Sequence, residues 1–102
     1  MHVEITSWAK SSLKKIYQHY SKEVSSEKAK EIVDQIVVRA LSLEQFPERG
    51  RIDEDLRFLN KSHRFILERH YKIIYRVEAE RILVTDVFSN WQNPKRKLKR
   101  NK

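Results

Sequence analysis

The sequence predicts an α+β domain of order β-α-α-β-β-β, an N-terminal strand and a helical hairpin packed on a small antiparallel sheet. Two observations carry the prediction. Apolar residues recur at helical spacing from Ala9 to Leu43, and from Phe65 onward the hydrophobic period falls to two.

Each element has its own reason. Val3 and Ile5 alternate with His2 and Glu4, which predicts a short opening strand. Thr6 or Ser7 supplies an N-cap, and Ala9, Leu13, Ile16 and Tyr20 then line one side of a first helix of roughly four turns. Ser25 and Ser26 mark a second start, with Glu27 placed to favour the helix dipole. The stripe Ala29, Ile32, Val33, Ile36, Val37, Ala40 and Leu43 runs until Pro47 disfavours helical geometry at Phe46. Neither stripe can be buried alone, so the two helices should form an antiparallel hairpin.

Gly50, the only glycine, sits in the turn signal FPERGR (46–51). Residues 52–61 fit neither period. Phe65 and Leu67 alternate in the next strand. Tyr71, Ile73, Tyr75 and Val77 alternate in HYKIIYRV (70–77), and Ile82, Val84 and Phe88 in RILVTDVF (81–88), with Asp86 on the same face. Turns at 68–70 and 78–81 imply an antiparallel meander.

Composition narrows the class. A chain of 102 residues is one domain, and it buries about 65% of its unfolded surface. The absence of cysteine excludes a disulfide scaffold, a thiolate metal site and a thiol nucleophile. No apolar run approaches the ~18 residues of a membrane span, and MHVEITSWAK has no signal-peptide core. A cytoplasmic protein without membrane contact is expected. His2 and His19 have no ligand-like spacing to other donors, so neither a metal site nor a cofactor is expected.

The net charge of +8 is uneven. Residues 94–102, PKRKLKRNK, hold six of the 22 basic groups and no acid. The chain thus divides into a domain over 1–94 and a basic tail over 95–102. Such a tail is ordinarily solvated; its functional reading is salt-sensitive attraction to a polyanion, through Lys95, Arg96 and Lys97 first.

The β-α-α-β-β-β order, the FPERGR turn, the HYKIIYRV strand and the following VFSNWQNP resemble the RelE/ParE superfamily of bacterial type II toxins. The resemblance spans Val3 to Pro94, with the ParE-like branch favoured by the turn after a long second helix. It implies a growth-inhibitory toxin neutralised by an acidic antitoxin encoded beside it, in a toxin–antitoxin hetero-oligomer. It leaves two targets open: DNA gyrase for ParE-like members, and ribosome-bound mRNA, which RelE-like members cut without a metal.

RNA cleavage needs a base, an acid and cations for the phosphorane charge. The nuclease branch typically carries Arg before the aliphatic pair of the middle strand; this chain has Lys72, without the bidentate fork. Trp91 stands where a second Arg is expected. A rearranged set would place His70, Lys72, Arg76 and Arg64 in catalysis, since His70, Lys72, Ile74 and Arg76 share one strand face. Arg57, His63 and Trp91 would contact the target, Trp91 by stacking on a base or, equally, as a core cap. The same alternation also describes the wet face of an ordinary sheet. A plain nucleic-acid or ribosome-binding module driven by the tail is the third reading. For the antitoxin, Tyr17 and Tyr20 on the first helix are core or interface residues, and Val38 points away from the second helix's stripe as a contact for an antitoxin helix.

Overall fold

The computed structural model describes residues 1–89. The order is β1 (His2–Ile5), α1 (Ser7–Glu23), α2 (Ser26–Leu41), a 3-10 turn (Ser42–Glu44), β2 (Arg51–Ile52), a second 3-10 segment (Glu54–Leu59), β3 (Arg64–Glu68), β4 (Tyr71–Val77) and β5 (Arg81–Ser89). Five strands form one sheet in the order β1-β5-β4-β3-β2. From β2 to β5 it is antiparallel, whereas β1 lies parallel to β5. The expected antiparallel meander is thus joined by β1, whose pairing the sequence did not specify: the helical hairpin carries the chain across between β1 and the rest, as a parallel pairing requires.

Local chemistry explains both helix starts. Thr6 Oγ1 accepts the Ala9 N–H at 3.3 Å, and Ser25 Oγ accepts the Lys28 N–H at 3.0 Å, each satisfying an otherwise orphan donor. Thr6 also donates its hydroxyl to the Val84 carbonyl at 3.0 Å, so the cap of α1 is bolted to β5.

The two helices cover one sheet face. Ala9, Leu13 and Ile16 of α1 and Ile32, Ile36 and Ala40 of α2 close over Ile66, Ile73, Tyr75, Ile82, Val84 and Val87. Burying each large aliphatic side chain contributes roughly 1.5–3 kcal/mol. A smaller cluster on the opposite, distal face joins Ile74 and Phe88 to Leu56 of the second 3-10 segment, with Leu59 and Phe65 packed against it. Residues 52–61 thus hold the last residue of β2 and a 3-10 lid.

β5 carries an irregularity. Ile74 stands opposite Asp86 but Tyr75 opposite Val84, which leaves Thr85 as an extra residue. A bulge reverses the alternation beyond it. Val87 thus joins Ile82 and Val84 under the helices while Phe88 turns to the distal cluster, correcting the single face expected for Ile82, Val84 and Phe88. The bulge also lets Asp86, fully buried, accept a hydrogen bond from Ser12 of α1 at 2.6 Å.

Candidate functional site

The turn that ends the helical hairpin is fixed from beneath by β3 and β4. The Tyr75 hydroxyl accepts the Gly50 N–H at 2.9 Å and donates to the Pro47 carbonyl at 2.7 Å. Arg64, opposite Tyr75 in the ladder, donates to the Gly50 carbonyl at 2.8 Å and the Glu48 carbonyl at 3.4 Å. Burial holds the Tyr75 hydroxyl above its ordinary pKa, so it remains a proton donor. Arg64, a candidate for phosphate contact, is here an anchor of the turn.

Of the other nuclease candidates, Lys72 and Arg57 share one groove, whereas Arg76 and His70 lie at opposite ends of β4. Lys72 lies with its ammonium 4.4 Å from the centroid of the Phe65 ring. Arg76, four residues along β4 or about 13 Å at 3.3 Å per residue, is paired with Glu78 at 2.6 Å. His70 sits before β4 at the far end of that strand from Arg76, its ring 4.4 Å from that of Tyr71. Arg57 belongs to the 3-10 lid and is clasped through two nitrogens by Glu54, both at 2.8 Å. That pairing raises the Arg57 pKa and fixes its charge to a neighbour. The distal groove, about 580 Å³, sets Arg51, Arg57 and Lys72 against Asp53, Glu54 and Asp55, so cationic potential is balanced there.

His63 corrects a further expectation. It is 1% exposed, not a surface contact, because its carbonyl takes the Asp53 N–H at 2.8 Å and draws the start of β3 under the lid. Trp91, Lys95, Arg96 and Lys97 lie outside the described residues.

The three antitoxin candidates fall in different settings. Tyr20 packs against the main core, and the Tyr71 hydroxyl is raised in pKa by burial first and by Tyr20 second. Tyr17 is 38% exposed. Val38 is 67% exposed and lines a groove of about 600 Å³ between α2 and the end of β3. Arg39 and Arg49, which line it too, were not singled out by the sequence. The available signal was the arginine pair flanking Gly50 in FPERGR, and Arg39 next to the off-stripe Val38.

Comparison with known proteins gives a concordant picture. A family model described as the ParE toxin of type II toxin–antitoxin systems, parDE, matches residues 3–94. Among solved structures, a chain of a chromosomal ParDE toxin–antitoxin system from P. aeruginosa is similar at 28% identity and a TM-score of 0.77, over 87% of this chain and 95% of that one. No curated protein sequence matches. Among the described residues no helix is long and apolar enough to cross a membrane. With the strand order, the pinned turn and a family match over nearly the whole sequence, this chain belongs to the ParE toxins of type II toxin–antitoxin systems.

Proposed function

We propose that this toxin inhibits growth in the bacterial cytoplasm without cutting RNA, by engaging DNA gyrase, and that a cognate acidic antitoxin encoded beside it neutralises it. The observation that carries the mode is the engagement of the nuclease candidates elsewhere. Arg57 is held by Glu54, Arg76 by Glu78, and Arg64 by the backbone of the turn. Cations already neutralised or used as struts contribute little to a developing phosphorane. The antitoxin reading draws support from the ParDE relative and from the exposed Val38, which lines a groove with Arg39, Arg49, Asp34 and Glu68. In it, Val38 and Tyr17 make contact directly, and Tyr20 acts by holding α1 on the sheet.

Primer extension on a reporter mRNA in a reconstituted translation reaction tests the mode. Intact message at a toxin concentration that stops growth is the expected result. Cuts registered to codons would instead establish the RelE-like endonuclease, and would direct mutagenesis to His70, Lys72 and Arg76.

A further inference from the structure

The two helices differ in how their cations are held. On α2, Lys28 lies 3.4 Å from Glu31 and Lys30 lies 2.7 Å from Asp34, so each lysine has an acid beside it. On α1, Lys10, Lys14, Lys15 and Lys22 are all exposed. Among the described residues none of the four has a carboxylate within 4.0 Å. The first turn of α1 carries no acid, and Glu23, the last residue, is the only one in the helix.

The arrangement follows from the way α1 packs. Ala9, Leu13 and Ile16 turn the helix onto the sheet, and Ser12 reaches the buried Asp86 from that inner side. At about 100° per residue, Lys14, Lys15 and Lys22 fall on the opposite half, with exposed Ser11 and Gln18 between them and Lys10 on one flank. From Lys10 to Lys22 the face runs about 18 Å at 1.5 Å per residue. It lies across the sheet from the 3-10 lid and from Lys72 and Arg57 of the distal groove. Lys10 and Lys14, four residues apart, repel one another on the helix surface. A bound polyanion would relieve that repulsion.

We propose that this outer face of α1 binds the phosphate backbone of duplex DNA, through Lys10, Lys14, Lys15 and Lys22, with Ser11 and Gln18 donating to the same phosphates. The residue types select the partner. Lys, Ser and Gln are phosphate-contacting residues, whereas lysine is depleted in protein–protein interfaces. The helix has no arginine to grip a carboxylate bidentately. An anionic membrane would need an apolar face to insert, and that face of α1 is buried against the sheet. A duplex carries one negative charge per about 1.7 Å of its axis, so the lysine face meets phosphates wherever it lands. Phosphate contacts carry no sequence information, and binding is therefore sequence-independent and salt-sensitive. The biological role rests on the gyrase reading above, since a toxin attracted to duplex DNA is concentrated where gyrase works; the binding itself rests on α1.

The test follows fluorescence anisotropy of a labelled DNA duplex of about 20 base pairs titrated with the full chain, from about 50 to about 200 mM salt. The variants are the quadruple Lys10→Gln, Lys14→Gln, Lys15→Gln, Lys22→Gln and, as control, Lys28→Gln with Lys30→Gln on α2. Glutamine is close to lysine in helix propensity, and the pairs Lys10→Gln, Lys14→Gln and Lys15→Gln, Lys22→Gln still report if the quadruple fails to fold. The quadruple should bind roughly ten-fold or more weakly at the lower salt, with a log–log salt slope smaller by about three to four. The α2 control should stay within about two-fold of wild type. No binding by wild type, or equal binding by wild type and quadruple, would overturn the face; so would binding lost only on deletion of residues 95–102. Tighter binding to anionic lipid vesicles or to an RNA duplex of the same length, lost with the same lysines, would overturn DNA as the partner. A gyrase supercoiling reaction separates this inference from the reading it rests on. Inhibition by wild type, with DNA binding unchanged in the quadruple, would overturn the face and leave the gyrase reading standing. DNA binding through α1 with gyrase fully active would support the face and overturn the gyrase reading.

Discussion

The hydroxyl of Tyr75 and the amide of Gly50 meet at 2.9 Å across 25 residues of sequence, and that contact sets the position of the turn between α2 and β2. Space, not backbone dihedral, requires glycine. A Cβ at residue 50 would stand 2.5 Å from the Tyr75 hydroxyl and 2.8 Å from the Phe65 carbonyl, a main-chain atom that cannot step aside. Arg49 and Arg51 flank this point and line the groove along β3 with Phe65, Ile66 and Leu67.

Gly50→Ala is therefore expected to destabilise the fold, in the range of about 1–3 kcal/mol for overpacking. Tyr75→Phe leaves the Gly50 N–H and the Pro47 carbonyl without their partner and should cost about 1–3 kcal/mol. Urea unfolding of both variants measures this. A cost in either case within error of zero would remove the turn from the list of structural supports.

Ser12→Ala removes the hydroxyl that donates to the buried Asp86 carboxylate at 2.6 Å. An under-satisfied buried carboxylate should cost about 1–3 kcal/mol. The exposed pair Lys30–Asp34, at 2.7 Å, provides the contrast: Lys30→Ala should change stability by no more than about 0.5 kcal/mol. Parallel denaturation curves decide between the two magnitudes.

Glu4 and Glu78 both have carboxyl pKa values below the ordinary range, Glu4 through His2 first and then Arg81, and Glu78 through Arg81 first. A folded pKa below the unfolded value means the stabilisation is complete above the unfolded value of about 4.3. It is lost as pH falls through the folded pKa. Thermal melts from pH 7 to pH 3 should show a fall beginning below about pH 4.5, shallower in Glu78→Gln. An identical slope in that variant would show that the Glu4–Arg81–Glu78 network is not its source.

The triple variant His70→Ala, Lys72→Ala, Arg76→Ala should retain most growth inhibition if the toxin is not a nuclease. Plating efficiency after induction, corrected for protein level, reports it. Deleting residues 95–102 should weaken but not abolish toxicity; complete loss would favour the tail-driven binding module.

Legibility in the sequence followed the range of the interactions. Both helices and their caps were readable because Thr6, Ser25 and the apolar stripes act within a turn or two. The pairing of β1 with β5 joins His2 to Arg81, and no local pattern announces a partner so far along the chain. The bulge at Thr85 lay hidden because period two was carried straight through it, which put Phe88 on the wrong face. β2 is two residues long and exists only through its pairing with Arg64 and Phe65. At the site, parity placed Lys72, Ile74 and Arg76 together, but it was silent on who holds each cation. Arg39, Arg49 and Arg51 became visible only once α2 and the β3 edge were side by side.

The most direct measurement is a gyrase supercoiling reaction with purified toxin, run with and without the product of the adjacent gene. The expected result is inhibition that rises with toxin and is relieved stoichiometrically by the partner, alongside uncut message in translation. Full gyrase activity at toxin concentrations that arrest growth would contradict the account.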